Sequence, residues 1–444
     1  AISSIGMTLI RVPVCVVGGG AAGFWSAITC AGQQAKRGRR SGGGILLLEK
    51  SKSVLHKVSI SGGGRCNVTY GFDTHPAAAY PRGAELLTSL SKRFGPADAM
   101  QWFEEHGVEL KTEKDGRVFP VTDDSASIVS CLQDVARDLD VDVRTDSKVL
   151  SVVQKQQDDA SYFHLAIDGK TVSEVECERI IFCCGSMHKR SVQRLVAGLG
   201  LPVQPVAPSL FAMLLKDPSS SGLLGLEGVS VQDAEVSVAT LPGSRTTPST
   251  APQRGPVLVT HGGISGPAVL RLSAWGAFEF KAADYHAHLR INWVPSVQDR
   301  DACEDALKDA ISGFDKKHLR KALGDLSPWP GRLPARLWRR ILERSGGPIS
   351  RSGGRWDNLV AATEGDDVRQ LATSADGGAD TLSLADQAWR DFRRPDLLAA
   401  LATAVWPQLT CYDVEVSGKH PNKEEFVTAG GLDWRSDVDW NRME

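Results

Sequence analysis

The sequence predicts an α/β protein in which a first domain of alternating strands and helices is interrupted by a second, mainly β domain. Two observations carry this prediction. Short buried strands alternate with helical segments in the first 200 residues, and the turn between the first strand and the first helix is rich in glycine. After about Pro205, Pro, Ser and Thr become frequent and short alternating segments such as 229–238 indicate antiparallel strands. The predicted domains are residues 1–204, an insert at 205–421, and a return to the first domain at 422–444.

The composition is that of a globular protein. The chain has 444 residues, and its 51 Lys and Arg nearly balance its 53 Asp and Glu, for a formal charge of −2. The longest apolar runs, such as 45–48 and 180–184, are far shorter than the roughly 18 residues that cross a bilayer. These features exclude a disordered, fibrous or membrane-spanning chain. Nine cysteines without a Cys-x-x-Cys pair predict neither a disulfide framework nor a metal site, and they favour a reducing compartment.

The first elements follow the order strand, glycine turn, helix, strand, acid. Residues 12–17 form a short apolar strand, residues 24–31 are helical, and residues 45–48 form a second apolar strand after the polar insertion 33–44. Later helices are expected at 84–94, 97–106 and 125–139, and later strands at 141–143, 148–153, 162–167 and 180–184.

The glycine turn has the spacing of a dinucleotide-binding fingerprint, Gly18-x-Gly20-x-x-Gly23. The first glycine makes the tight turn, the second lets the backbone approach a pyrophosphate, and the third packs the helix against the strand. Glu49, which Lys50 follows, ends the second strand and is placed to accept hydrogen bonds from ribose hydroxyls. A purely structural turn is the alternative, and the motif does not distinguish FAD from NAD.

A second glycine-rich segment, residues 61–67 (SGGGRCN), follows the acid. Successive glycines allow backbone N–H groups to form a concave anion site, to which Arg65 adds a fixed charge. Cys66 and Asn67 offer polar contacts to a planar ring. The alternative is a surface loop, but the position directly after Glu49 favours a binding role.

Five segments together resemble one family. Residues 18–23, 61–67, 116–120 (GRVFP), 260–267 (THGGISGP) and 427–431 (VTAGG) occur in the order of the BaiN-like and YhiN-like flavoproteins. That family includes aminoacetone oxidases, a bile-acid enone reductase and a ribosomal-RNA dihydrouridine synthase. The resemblance spans almost the whole chain.

The resemblance implies a Rossmann-like FAD-binding domain with an insert of β-barrel and helical parts. It places the cofactor FAD against the chain at three places. The pyrophosphate lies on the first glycine turn, the flavin side on the second, and the adenine beside the backbone of Val149. The residues that would bind FAD are therefore Gly18, Gly20, Ala22, Gly23, Glu49, Lys50, Gly63, Gly64, Arg65, Cys66, Asn67, Val149 and Gly185.

Against the family pattern, residues 183–185 (CCG) replace an Ala-Thr-Gly strand end. The family also continues beyond a Thr-Met-Glu-Ser stretch into a glycine-rich flavin-holding segment, whereas this sequence stops at Glu444 and begins without Met. We therefore expect a chain truncated at both ends. Localisation is taken as cytoplasmic by default, with an organelle as the alternative if a transit peptide precedes Ala1.

Two residues are candidates for moving a proton during catalysis. His261 lies in the glycine-rich segment 260–267, either as a proton donor facing the flavin or as a structural residue of the turn. Cys66 is either an acid that delivers a proton opposite the hydride or a small buried residue beside the cofactor.

A basic segment, residues 316–344, holds nine Lys and Arg against two acids, a local charge of +7. With Trp329 and Trp338 interleaved it has the composition of an RNA-contacting surface. Arg332, Arg336, Arg339 and Arg340 are equally typical of a solvated amphipathic helix.

The function that these observations favour is an FAD-dependent oxidoreductase acting on a small conjugated or nucleobase-like substrate. One alternative is an RNA-modifying enzyme that reduces a uridine of ribosomal RNA. Another is a non-catalytic flavin- or nucleotide-binding module. Since the chain has one dinucleotide fingerprint, NAD(P)H would bind only transiently as an electron donor.

Overall fold

The computed structural model describes residues 9–38, 44–71, 79–157, 160–243, 249–312, 329, 332–345, 395–420 and 427–433. The chain forms two compact units. The first comprises residues 1–207 and 426–444, and the second comprises residues 208–425. Each unit has its own hydrophobic core.

The described residues of the first unit form ten strands and six α-helices before the chain enters the second unit. The strands are β1 (Leu9–Val17), β2 (Ile45–Leu48), β3 (Thr69–Tyr70), β4 (Leu110–Thr112), β5 (Arg117–Pro120), β6 (Asp142–Arg144), β7 (Ser147–Gln157), β8 (Ala160–Gly169), β9 (Glu174–Phe182) and β10 (Val203–Ser209). The helices are α1 (Ala21–Lys36), α2 (His56–Ile60), α3 (Ala84–Ser91), α4 (Pro96–Glu105), α5 (Ala126–Asp138) and α6 (Arg190–Ala197).

A six-stranded sheet in the order β6-β2-β1-β9-β8-β7 organises this unit. Strands β6, β2, β1 and β9 are parallel, and β8 and β7 continue the sheet antiparallel. A smaller antiparallel sheet, β3-β5-β4, follows the second glycine-rich segment. Because β2 and β9 both pair with β1 in parallel, the carboxyl ends of β1 and β9 lie at the same edge of the sheet.

Alternation along the central strands explains why both faces of the sheet are covered. Val14 and Val16 of β1 pack in one apolar cluster together with α1 and α5, whereas Cys15 and Val17 pack in another. The residues of β2 alternate in the same way, with Ile45 and Leu47 in the first cluster and Leu46 and Leu48 in the second. A parallel strand buried on both faces reads as a continuous apolar run, which is why residues 45–48 are Ile-Leu-Leu-Leu.

The second unit contains a closed barrel in the order β11-β14-β13-β12-β15-β16. Its strands are β11 (Met213–Leu215), β12 (Ser230–Thr240), β13 (Gln253–Thr260), β14 (Gly263–Ser265), β15 (Ala287–Asn292) and β16 (Tyr412–Lys419). Its helices are α7 (Pro267–Trp275), α8 (Ala277–Ala282), α9 (Arg300–Ser312), α10 (Ala335–Arg344) and α11 (Pro395–Thr410). All barrel pairings are antiparallel, and one core contains the inward side chains of the barrel and the apolar faces of its helices.

The chain returns to the first unit with β17 (Val427–Leu432), which pairs with β10. Gly430 permits this pairing, because a Cβ at that position would lie 2.0 Å from the Pro205 carbonyl oxygen. Gly430 is therefore required by packing inside the first unit.

The predicted α/β fold with a β-barrel insert is confirmed, and most elements lie within a few residues of their predicted bounds. One difference is the helix predicted at 24–31, which is longer and runs into the polar insertion 33–44. Helix α1 continues to Lys36, so the first part of that insertion is helical. Another is the strand predicted at 180–184, which begins much earlier, at Glu174, because β9 pairs with β1 from Leu9 onward.

Among the described residues, no helix combines the length and the apolar character needed to cross a membrane. All nine cysteines are free thiols, and within the described part of the chain no cluster of His, Cys, Asp and Glu is arranged to hold a metal ion.

Thiol reactivity is expected to single out Cys411, the one cysteine that is exposed. Burial raises the pKa of Cys131 and Cys184 to about 11 and that of Cys303 to about 12. At pH 8 a thiol with a pKa of about 11 is about 0.1% thiolate, and one with a pKa of about 12 is about 0.01% thiolate, so these three should react more than about 100-fold more slowly than an unperturbed thiol. Labelling of the native chain followed by peptide mapping measures the rates, and rapid modification of Cys184 would contradict this assignment.

Candidate functional site

The first glycine turn lies at the carboxyl end of β1. Gly18 has a φ of +114°, and a Cβ on it would lie 2.3 Å from the Cys183 carbonyl oxygen. A Cβ on Gly23 would lie 1.8 Å from the Gly18 carbonyl oxygen, so both glycines are required by the fold itself. Gly20 differs, because a Cβ there would meet nothing within 4 Å.

Gly20 is therefore the place where the turn presents an open backbone. Helix α1 begins directly after it, with Gly20 as the N-cap in an extended conformation and with Ala22 exposed in the first turn. The N-terminus of a helix offers N–H groups and the positive end of the helix dipole to an anion. This geometry suits the pyrophosphate of a dinucleotide.

Glu49 lies beside this turn, directly after β2. Its Oε2 accepts a hydrogen bond from the Gly19 N–H at 2.7 Å, and its Oε1 accepts one from the Ser51 N–H at 2.9 Å. These bonds fix the carboxylate, while each oxygen retains a second lone pair for a ribose hydroxyl. Lys50 is exposed.

Val149 lies near Glu49, because the N–H of Ser147, at the start of β7, donates to the Glu49 carbonyl oxygen at 2.8 Å. The Val149 side chain is buried in the core beneath the sheet, so only its backbone is placed for the predicted adenine contact. That contact stays a prediction.

The second glycine-rich segment is a tight, left-handed turn. Gly62, Gly63, Gly64 and Cys66 all have positive φ values, between +58° and +87°. A Cβ on Gly63 or Gly64 would meet nothing within 4 Å, so the turn presents open backbone there. The N–H groups of Gly64 and Cys66 both donate to the Ser61 carbonyl oxygen at 3.0 Å, so these two amides hold the turn together.

Arg65 braces this turn against the neighbouring small sheet. Its guanidinium donates to Glu113 at 2.7 Å and to Asp123 at 3.3 Å, and it stacks on the Phe119 ring at 3.9 Å. The hydrogen bond to Glu113 is the main cause that raises the pKa of Arg65. Its charge is therefore compensated by two carboxylates, and the structure supplies a bracing role that the sequence did not show.

Cys66 and Asn67 complete the turn. Cys66 is buried, and burial raises the pKa of its thiol although a hydrogen bond with Ser61 opposes this, so the thiol is protonated at neutral pH. Asn67, with its amide oriented to suit its neighbours, donates to the Val118 carbonyl oxygen at 3.3 Å and the Thr69 carbonyl oxygen at 3.0 Å. It links the turn to β3 and β5.

A polar cluster follows β9, and it was missed at the sequence level. Gly185 has a φ of +74° and an open Cβ position. Ser186 Oγ lies 2.7 Å from His188 Nδ1 and also hydrogen-bonds Thr428 Oγ1. Thr428 lies in residues 427–431 and Ser186 directly follows residues 183–185, but the separation of the two segments in the chain concealed the contact.

His261 lies in the second unit, in the turn between β13 and β14, and its side chain is exposed. The glycines around it serve the barrel. A Cβ on Gly263 would lie 2.1 Å from the Met213 carbonyl oxygen, and one on Gly266 would lie 2.6 Å from the Pro256 carbonyl oxygen. Glu227 is near His261: backbone hydrogen bonds are the main cause that lowers the Glu227 pKa, and the charges of His261 and Arg336 lower it further.

Residues 329 and 332–344 of the basic segment are described, and they include helix α10, whereas residues 316–328, 330 and 331 lie outside the described residues. Trp329 and Trp338 are buried and pack edge to face with their ring centroids 6.0 Å apart, so neither ring belongs to an exposed surface. Several arginines hold the loop 217–228. Arg336 donates to the Gly225 carbonyl oxygen, and Arg340 donates to the Gly222 carbonyl oxygen at 3.0 Å.

Replacing Arg336 or Arg340 by alanine is expected to destabilise the second unit by about 1–2 kcal/mol, because backbone carbonyls lose charge-assisted hydrogen bonds. Urea unfolding of the two variants measures the effect, with Arg300→Ala on α9 as an exposed control. Unchanged unfolding midpoints together with weaker RNA binding would instead assign these arginines to RNA contact.

Comparison with known proteins gives one family match and several relatives. The family model described as "HI0933-like protein Rossmann domain" matches residues 12–444. The chain is 27% identical to the ribosomal RNA dihydrouridine synthase of Escherichia coli (strain K12), over 87% of this chain and 90% of that protein. It is 25% identical to the 3-dehydro-bile acid delta(4,6)-reductase of Clostridium scindens, over 78% of this chain and 80% of that protein.

Proposed function

Because the chain belongs to the HI0933-like family of Rossmann-domain flavoproteins and is an FAD-dependent oxidoreductase, we propose that it reduces a carbon–carbon double bond conjugated to a carbonyl group. A dihydrouridine synthase saturates such a bond in uracil, and an enone reductase saturates one in a steroid ring. The same hydride-and-proton chemistry serves both substrates.

The observation that carries the proposal is the open backbone at Gly20, at the start of α1. The fold requires Gly18 and Gly23 for its own packing, but among the described residues nothing lies within 4 Å of a Cβ on Gly20, so this glycine leaves room for a ligand. The residues present thus fit FAD. When bound, FAD supplies the hydride for the reduction.

Most of the predicted FAD contacts have a physical role in this proposal. The backbone from Gly18 to Gly23 and the N-terminus of α1 hold the pyrophosphate, and Glu49 accepts hydrogen bonds from the ribose. The open backbone of Gly63, Gly64 and Gly185 allows close approach of the cofactor. Arg65 keeps the second glycine turn in its left-handed conformation.

Uridine in ribosomal RNA is the substrate to test first, because the relative that covers 87% of the chain acts on ribosomal RNA. A small conjugated ketone is the second candidate. NAD(P)H is the proposed electron donor in both cases, and it binds transiently because no second dinucleotide fingerprint occurs in the sequence.

The test begins with the visible spectrum of the purified chain with added FAD. Anaerobic NADH or NADPH should bleach the bound flavin. Unmodified ribosomal RNA, free uridine or a 3-keto-Δ4 steroid should then restore its absorbance. Bleaching without recovery by any conjugated substrate would sink the proposal, and oxygen uptake with amines would redirect it to an oxidase. A flavin that no nicotinamide reduces would favour the non-catalytic module.

A further inference from the structure

Helix α6 carries two arginines on its exposed face. Arg190 and Arg194 are four residues apart, so they are neighbours on one side of the helix, while Leu195 and Val196 are buried on the other side. Within the described part of the chain, neither guanidinium has a hydrogen-bond or ion-pair partner. Like charges at this spacing repel each other and weaken a helix. The stability of α6 therefore does not explain why both positions are arginine.

Helices of the second unit pair their basic residues with acids about one turn away. Lys308 Nζ lies 2.8 Å from Glu304 Oε1 on α9. Arg340 Nε lies 3.1 Å from Glu343 Oε2 on α10. Helix α6 has no acid at any of its eight positions, so it presents uncompensated positive charge to solvent.

This charge lies at the side of the sheet where ligands of open α/β sheets bind, the carboxyl ends of the strands. Helix α6 begins eight residues after β9 ends. Leu48 at the end of β2, Cys184 after β9 and Leu195 of α6 pack in one apolar cluster. Helix α6 therefore covers the face of the sheet to which the ends of both strands belong.

A further exposed cation, Lys52, follows β2 at the same edge. The loop that carries it is fixed by Ser51, whose N–H donates to Glu49 Oε1 at 2.9 Å and whose carbonyl oxygen accepts the Asp146 N–H at 3.0 Å. The Asp146 carboxylate is bound to Lys170 Nζ at 2.9 Å. Among the residues that the structure describes, Lys52 has no such partner.

The two edges of the sheet differ in charge. The segments that follow β2 and β9 in the first unit, residues 50–72 and 183–207, contain seven Lys and Arg and no Asp or Glu. At the amino edge, by contrast, Arg11 of β1 is paired with Glu176 of β9 at 2.8 Å. A surface with one sign of charge and no internal partners attracts a polyanion.

We propose that Arg190, Arg194 and Lys52 bind phosphates of the ribosomal RNA whose uridine is reduced, and so position the RNA without taking part in the chemistry. This inference rests on the proposed function. The planar guanidinium binds two phosphate oxygens at once, and phosphate contacts fix the register of a nucleic acid without reading its sequence. An RNA strand offers successive phosphates to cations on separate segments, which neither a small ketone nor the single pyrophosphate of FAD does.

Salt-dependent RNA binding tests the proposal without turnover. The full chain with FAD is titrated with a fluorescent fragment of unmodified ribosomal RNA at several KCl concentrations. The double variant Arg190→Gln, Arg194→Gln should lose about 1.5 from the slope of log K against log salt and bind about 10-fold more weakly at about 0.15 M salt. Lys52→Gln should lose about half as much from the slope.

The matched control removes two exposed cations from the opposite edge of the same unit. Helix α1 runs back from the carboxyl end of β1, so Lys36 and Arg37 lie at the amino edge. Lys36→Gln, Arg37→Gln should leave the slope and the affinity for RNA unchanged. An equal loss in both double variants would mean that only net charge matters, and it would overturn the assignment.

Flavin kinetics separate this surface from the reaction itself. In the Arg190→Gln, Arg194→Gln chain, FAD affinity, bleaching by NAD(P)H, and recovery with free uridine or a 3-keto-Δ4 steroid should be unchanged. Recovery with subsaturating ribosomal RNA should slow by about 10-fold, in line with the weaker binding.

Two results would overturn the inference and leave the proposed function intact. Unchanged RNA affinity and slope would assign the charged face to a partner other than RNA, and weaker FAD binding would assign the arginines to the cofactor. If no conjugated substrate restored the flavin absorbance of the unsubstituted chain, the proposed function would fall, and the role of this surface in substrate binding would fall with it.

Discussion

Replacing Gly23 by alanine is expected to weaken FAD binding strongly and to destabilise the first unit. The new Cβ would lie 1.8 Å from the Gly18 carbonyl oxygen, so helix α1 must move away from β1. Overpacking typically costs about 1–3 kcal/mol, and a Cβ this close to a backbone oxygen should cost about 3 kcal/mol. FAD affinity should fall by about 100-fold or more as the turn is displaced. Thermal unfolding and FAD titration measure the two effects.

Two further glycines of the same helix region separate packing from ligand contact. Gly20→Ala places its Cβ in open space, so the unfolding temperature should stay within a few degrees of the unsubstituted chain while FAD affinity falls. Gly32→Ala, in the middle of α1 and also without a neighbour within 4 Å, should change neither property or slightly stabilise the helix. Full FAD affinity in Gly20→Ala would argue that the turn is structural and binds no pyrophosphate.

Gly263→Ala is expected to disrupt the barrel of the second unit. Its Cβ would lie 2.1 Å from the Met213 carbonyl oxygen, at the pairing of β11 with β14 that the closed barrel requires. A loss of about 3 kcal/mol is expected, with faster amide hydrogen exchange in β11, β13 and β14. Hydrogen exchange followed by mass spectrometry locates the change.

Gly418→Ala is the matched control for this barrel variant, because Gly418 also pairs with β11 but a Cβ on it would meet nothing within 4 Å. It should leave hydrogen exchange unchanged. His261→Gln should also leave the barrel intact, since the exposed side chain does not pack in the core. If Gly263→Ala and Gly418→Ala changed hydrogen exchange equally, the close approach of Gly263 to the Met213 carbonyl oxygen would not explain why residue 263 is glycine.

The sequence predicted the structure best where a local pattern of residues has a single physical explanation. Residues 45–48 are uniformly apolar because a parallel strand is buried on both faces, and their predicted bounds match β2. Gly18 and Gly23 were assigned packing roles from their spacing, and both prove to approach a backbone carbonyl closely. Helical periodicity likewise located α4 and α5 to within one residue.

The sequence was least informative where one side chain suits two roles. The arginines of α10 are compatible with an RNA surface or with an amphipathic helix, and only the structure shows Arg336 and Arg340 bound to carbonyls of the loop 217–228. Arg65 was expected to supply charge to an anion, but Glu113 and Asp123, both distant in sequence, compensate that charge.

By itself the sequence determined the fold class, the glycine turn and the acid that follows β2, because these depend on the conformation and burial of neighbouring residues. The tertiary structure alone decided which polar side chains meet. The contact of Ser186 with Thr428 depends on the pairing of β17 with β10, and the closed barrel depends on strands separated by about 200 residues. Such contacts leave no periodic signal in the chain, since each requires only that two distant backbones can approach.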